Sequence, residues 1–283
     1  MNRKFKMLLM TSRPISWVNT AYPFAVGYIV ASHSIDLVFL VGTIFFLVPY
    51  NLALYGINDV FDYESDMRNP RKGGVEGAVT PQNFHGTILW ASALTSLPFI
   101  LFLTVNGSLT SNITLFFVIF FLIADSIKGL RFKEIPVLDS ITSSFHFVGP
   151  LIYALSLSSF PNDFWPYVIA FFAWGMASHA LGAVQDIIPD READLHSIAT
   201  VFGAANTMRF AGLLYFFASC IVATQGKHSF VVGILGLLYF LNVLPYIKLN
   251  TKQSAKANVA WKRFLKLNYV AGMIITLLLL VHA

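Results

Sequence analysis

The sequence predicts an all-α membrane protein, a polytopic bundle of nine transmembrane helices forming one domain over 1–283, and three observations carry that reading. First, 56% of the 283 residues are hydrophobic and only 12% charged, against about 25% charged in soluble domains. Folded in water, such a chain would expose far more apolar area than a monomer tolerates. A soluble enzyme is thereby excluded; high hydrophobicity excludes disorder, and Cys220 as the lone cysteine excludes a disulfide scaffold. Second, apolar runs of roughly 20 residues recur and are continuous rather than alternating, which suits helices and not barrel strands. Third, the breaks between runs carry basic residues on one side almost exclusively.

The first run, 14–32, follows Arg13 and contains Pro14, Trp17 and Pro23. It is too long and too interrupted for a cleavable signal peptide, and no small-residue cleavage site follows, so it reads as a retained helix. The second, 37–57, leads into Asn58-Asp59-Val60-Phe61-Asp62-Tyr63-Glu64-Ser65-Asp66. Runs 86–104 and 112–127 precede the basic stretch Lys128-Gly129-Leu130-Arg131-Phe132-Lys133. Run 138–158 holds His146 beside Ser143, Ser144 and Gly149, and run 164–184 holds His179 and ends at Gln185-Asp186. Runs 207–224 and 229–247 follow, then a basic segment, 250–266, that reads as a short interfacial helix with Trp261 and Phe264, and a last run, 265–282. The connections 33–36, 106–112, 159–163 and 225–229 leave no room for an extramembrane module.

Eighteen of the 19 Lys and Arg residues fall on one side, with Lys227 alone on the other. The positive-inside rule then places the N-terminus in the cytoplasm and the C-terminus outside. This topology accounts for the net charge of +5 without any nucleic-acid partner.

Two acidic sets stand at matching ends of two runs. If the second helix continues through its polar end, Asp59, Asp62 and Asp66 sit at i, i+3 and i+7 with Asn58 beside Asp62, so that four oxygen donors share a face. Asp186, Asp190 and Asp194 are spaced i, i+4, i+8 around Pro189, where a kink near Ile188 is expected. Hard oxygen clusters suit Mg²⁺ held together with diphosphate oxygens. The plainer alternative is a set of solvated loop charges. Six of the 14 acidic residues occupy these two spaced triplets, however, and like charges so packed repel unless a cation neutralises them. Arg131, Lys133 and Lys128 would complement a diphosphate, as would Arg13, Arg68, Arg71 and Lys72, although positive-inside topology alone would also put them there. The stretch 72–77 reads as a phosphate-approaching flap or a flexible loop and matches no P-loop. His146, His179 and Tyr55 are candidates to line an acceptor pocket, with structural hydrogen bonding the alternative for the histidines.

With those residues in view, Asn58, Asp59, Asp62 and Asp66, together with Asp186, Asp190 and Asp194, resemble the paired aspartate motifs of the intramembrane UbiA-type prenyltransferase superfamily. The strings 12–23, 55–66, 69–78 and 174–178 are similar to those of the lycopene elongases within it. The resemblance implies a UbiA-like fold in a bacterial or archaeal cell membrane, with Mg²⁺ bridging both aspartate sets to dimethylallyl diphosphate and Arg131 and Lys133 neutralising the departing diphosphate. It further implies attack by a terminal double bond of lycopene on the allylic cation, at each end in turn. Water or proton loss then ends the reaction, in a site on the cytoplasmic side that opens to membrane lipid. Pro189 inside the second set departs from a regular helical spacing and leaves the separate roles of Asp186 and Asp190 open. Two further readings stand beside this one: the same chemistry on an aromatic quinone precursor or another lipid acceptor, and a non-catalytic transporter.

Overall fold

The computed structural model describes residues 3–67, 80–158 and 160–281, excepting the side chain of Ser65. Arg68, Arg71, Lys72 and the glycine-rich stretch lie outside the described residues. Among the described residues the regular structure is helical throughout. The chain divides into two compact units, Met1–Phe132 with Phe145–Asn162, and Lys133–Ser144 with Asp163–Ala283.

The first unit begins with α1 (Arg3–Thr11) and α2 (Val18–Ser32), joined through a 3₁₀ turn that starts at Pro14. The apolar stretch that follows is divided into α3 (Leu37–Leu47) and α4 (Pro49–Phe61) because Pro49 has no N–H to continue the hydrogen-bond ladder. Asn51 repairs that break: its Nδ2 donates to the carbonyls of Phe46 (2.8 Å) and Leu47 (3.1 Å) and to Thr20 Oγ1 (2.7 Å), while the Thr20 hydroxyl donates to Phe46 O (2.6 Å). In an apolar medium freed carbonyls must find such partners. Close packing fixes the neighbours: a Cβ on Gly42 would fall 2.1 Å from the Phe24 ring, and one on Gly56 2.6 Å from Ile88. A one-turn helix, α5 (Tyr63–Asp66), then α6 (Gln82–Val105) and α7 (Leu109–Ala124), follow. The core is aromatic, with Phe24, Phe45, Phe46, Tyr50 and Tyr153 fully buried.

Helix α8 (Leu138–Ser156) contributes its residues up to Ser144 to the second unit and the rest to the first. The second unit continues with α9 (Trp165–Val184), the short α10 (Ile187–Glu192), α11 (Ile198–Ala223), α12 (Lys227–Val243) and α13 (Ala257–Leu280). Its core collects Leu181, Ile187, Met208, Tyr215 and Phe264. Gly203 sits at φ 77° inside α11, freeing two backbone groups there. The carbonyl of Thr200 accepts from the guanidinium of Arg191, and the N–H of Ala204 donates to Thr251 Oγ1 at 3.5 Å.

Two sequence expectations change here. In place of nine spans, six helical segments among the described residues are long and apolar enough to cross a membrane: 37–61 (α3 and α4 together), 82–105, 162–184, 198–223, 227–246 and 251–280. The expected spans 14–32 and 112–127 hold helices of only 15 and 16 residues, and 138–158 begins with the polar series Asp139, Ser140, Thr142, Ser143, Ser144 and His146. The separate interfacial helix at 250–266 is also not found: a 3₁₀ segment (Thr251–Lys256) runs directly into α13, and Phe264 turns into the core, because Trp261 stacks on its ring at 5.0 Å.

Candidate active site

The acidic end of α4 is built on a distorted turn. Asp62 is the C-cap of α4 at φ −99°, ψ 3°, so the helix does not run unbroken through Asp66 as the spacing suggested. The backbone nevertheless keeps turning: the N–H of Asp62 donates to Asn58 O (2.9 Å) and that of Asp66 to Asp62 O (2.8 Å). Asp59 is buried and paired with Arg13 at 2.8 Å, and Arg13 in turn stands 4.3 Å over the ring of Tyr55. Asp62 is paired with Arg131 at 3.3 Å, whose guanidinium also reaches Phe61 O at 3.5 Å. Asn58 Nδ2 donates to Ser126 Oγ at 3.4 Å. Among the described residues no three His, Cys, Asp or Glu side chains gather as a metal cage; Asp59 and Asp62 are each paired with an arginine.

Both arginines are held in left-handed backbone, Arg13 at φ 50° and Arg131 at φ 42°. Such a conformation costs a non-glycine residue about 1–3 kcal/mol and persists where surrounding structure enforces it. For Arg13 the enforcing contacts are visible: Trp17 Nε1 donates to Ser12 O (3.0 Å) and Ser12 Oγ (3.1 Å), clamping the turn. Lys128 is exposed in the turn after α7, and Lys133 lies half-buried in a 3₁₀ turn, Phe132–Glu134.

In the second unit the break falls earlier than expected. α9 ends at Val184 with Gln185 as its C-cap, Asp186 becomes the N-cap position of α10, and Pro189 sits in the first turn of α10, where a missing N–H is harmless. Asp186 and Asp190 remain linked, the N–H of Asp190 donating to Asp186 O at 2.9 Å. Asp194 lies past the end of α10 in left-handed backbone, φ 56°, so the three do not share a continuous helical face. Gln185 is fixed from α13 by Asn258, whose Nδ2 donates to its Oε1 at 2.7 Å.

The profile of the UbiA prenyltransferase family matches residues 20–270. The chain belongs to the UbiA prenyltransferase family. It is 49% identical over 282 residues to a lycopene elongase/hydratase of Corynebacterium glutamicum, covering 99% of this chain and 98% of that one. It is also 49% identical over 276 residues to a C(50) β-cyclic carotenoids biosynthesis protein of Dietzia sp., covering 96% of this chain and 64% of the other. A UbiA homolog from Archaeoglobus fulgidus solved with DMAPP and Mg²⁺ shares the fold, with a TM-score of 0.67 at 17% identity over 94% of this chain and 99% of that one. This UbiA chain is therefore a prenyltransferase and an integral membrane protein.

Two buried acids escaped the sequence reading. Asp125 follows α7, and its Oδ2 lies 3.9 Å from His146 Nε2, while His146 Nδ1 is 3.3 Å from the hydroxyl of Tyr50. Asp139, in the first turn of α8, is fully buried and lies 3.4 Å from His179 Nε2. A lone acid at the edge of an apolar run was the available signal; its partner, 21 residues away for Asp125 and 40 for Asp139, was not in the local pattern.

Proposed function

We propose that this UbiA prenyltransferase transfers dimethylallyl groups from dimethylallyl diphosphate to the two ends of lycopene in a Mg²⁺-dependent reaction, giving a fifty-carbon carotenoid, as one domain spanning 1–283. The observation that carries the acceptor is the 49% identity to a lycopene elongase/hydratase along essentially the whole of both chains. The donor set fits the metal, since Asn58, Asp59, Asp62, Asp66, Asp186, Asp190 and Asp194 offer only hard carboxylate and carboxamide oxygens. When bound, Mg²⁺ would neutralise diphosphate charge as the allylic C–O bond breaks.

The residues of the chain take the remaining roles. Arg13 and Arg131, already seated on Asp59 and Asp62, are positioned to donate hydrogen bonds to diphosphate oxygens. Lys128 and Lys133 add positive charge, and Arg68 and Lys72 belong to the same proposed set. Tyr55, under the Arg13 guanidinium, holds that group in place by cation–π attraction. Positive-inside asymmetry supports a cytoplasmic N-terminus, an external C-terminus and an active site on the cytoplasmic side.

Expression in a lycopene-accumulating bacterium, with the carotenoid masses read directly, tests this function. Five-carbon additions at both ends are expected, and Asp62→Ala or Asp190→Ala should lower transfer by at least about 10²-fold with membrane insertion intact. Unchanged lycopene from membrane-inserted wild-type protein would refute the acceptor; full turnover in both variants would refute the aspartate assignment.

A further inference from the structure

Within the first unit a line of polar groups runs from the acidic end of α4 into the apolar interior. Asn58 contacts Ser126; the adjacent Asp125 lies 3.9 Å from His146 Nε2; and His146 Nδ1 is 3.3 Å from Tyr50 Oη. Tyr50 and Asn58 are both on α4, eight residues apart, which is about 12 Å along the axis at 1.5 Å per residue. The line thus descends from the place proposed for the diphosphate to a depth where only hydrocarbon parts of the substrates would lie. His146 and Tyr50 are almost wholly buried, at 6% and 1% exposure. Among the described residues His146 Nε2 is a buried nitrogen without a hydrogen-bond partner, since the Asp125 carboxylate stands beyond hydrogen-bonding distance.

A buried imidazole held at one nitrogen, open at the other and faced by a carboxylate is suited to take up a proton. In the tautomer whose Nδ1–H donates to Tyr50 Oη, the Nε2 lone pair carries no hydrogen bond; once protonated, the imidazolium faces the Asp125 carboxylate. The proposed reaction needs such a group. Attack of a lycopene double bond on the allylic cation leaves a tertiary cation on the acceptor, and a neutral product forms only when a proton leaves.

We propose that His146 is the catalytic proton acceptor that ends the reaction, with Asp125 and Tyr50 as its positioning residues; this rests on the lycopene reading above. In the hydrating branch a water lone pair forms the new C–O bond to the cation and the water's proton passes to Nε2. In the eliminating branch the electron pair of a neighbouring C–H bond becomes the new double bond and that proton passes to Nε2. Neither branch requires an oxidant or reductant.

The test expresses wild type, His146→Asn, Tyr50→Phe and Asp125→Asn in the lycopene-accumulating host, and measures both total five-carbon addition and the ratio of hydroxylated to unsaturated ends. His146→Asn keeps a side-chain amide near the Nδ1 position but cannot accept a proton. It is expected to lower elongation by about 10²-fold, the lower end for loss of a general base, and to change the product ratio. Tyr50→Phe and Asp125→Asn should each shift the ratio, which a purely structural role would leave unmoved. Retention of the thermal shift produced by dimethylallyl diphosphate with Mg²⁺ identifies a folded His146→Asn protein; loss of that shift would mean that His146 serves the fold, and would overturn the proposal. Wild-type elongation accompanied by an unchanged rate and ratio in His146→Asn would overturn this proposal and leave the lycopene reading standing. Absence of elongation by the wild type would overturn both.

Discussion

Each unit contains a histidine facing a buried aspartate, and the two pairs differ in how deeply the histidine is enclosed. In the second unit Asp139 is saturated by backbone donors: Ile198 N–H, at the start of α11, and Ser140 N–H each reach it at 2.6 Å, with the Ser140 hydroxyl at 3.2 Å. The Nε2 of His179, whose side chain is a quarter exposed, stands 3.4 Å from it without forming a hydrogen bond. In the first unit His146 is buried between Tyr50 and Asp125, with its Nε2 outside hydrogen-bonding reach of the carboxylate. The same two residue types therefore support a helix start in one place and form the proposed proton acceptor in the other. Burial of the imidazole distinguishes them: His146 is enclosed beside its carboxylate, whereas His179 stands at the edge of a carboxylate already held by backbone N–H groups.

The strongest way to break the comparison is Asp139→Ala. It would strand the amides of Ile198 and Ser140 in an apolar interior, a loss of roughly 3 kcal/mol. The unfolding midpoint of the detergent-solubilised protein reports this directly. A midpoint equal to that of the wild type would show that the cap is dispensable and erase the distinction between the two pairs.

What was readable in the sequence follows the same division between local and distant partners. The apolar runs, Asp59 and Asp62 with their neighbours, and the basic stretch containing Arg131 are local patterns, and their places on helix ends could be read by counting residues. The break at Gln185–Asp186 could not, because Pro189 marks an interruption without saying whether it lies inside a helix or in the first turn of a new one. Nor could the split of 37–57 at Pro49 be seen as stable, since its repair depends on Thr20 and Asn51, 31 residues apart. Asp139 gains its meaning from Ile198, 59 residues on. Pairings at such separations are set by packing, and a single sequence carries no local trace of them.

A smaller effect is expected from His179→Gln. Glutamine removes the imidazole beside Asp139, and since the carboxylate retains its amide donors the loss should be about 1 kcal/mol. Unfolding midpoints again decide: a loss as large as that of Asp139→Ala would make the histidine, rather than the backbone donors, the element that stabilises the cap, and would bring the two pairs closer in kind.

The smallest effect sharpens the part that burial plays. Whereas the buried Asp139 accepts from the first N–H of α11 beside the N-cap Ser197, Asp36 is itself the N-cap of α3 and stands exposed, its Oδ1 accepting from the N–H of Phe39 at 3.0 Å. That N–H, helped by the hydroxyl of Tyr28 at 2.8 Å, holds the Asp36 carboxyl below its ordinary range. A carboxyl whose folded value is depressed contributes stability that is complete above its unfolded value, about 3.9, and is lost as the pH falls through the folded value. Asp36→Ala should therefore lower stability by about 1 kcal/mol at neutral pH. The gap between variant and wild type should close as the solution is acidified below about pH 4. Unfolding midpoints of both proteins across that range measure it. A gap that persisted in acid would mean that Asp36 acts through packing with Tyr28 rather than through its charge, and the comparison with Asp139 would then rest on shape alone.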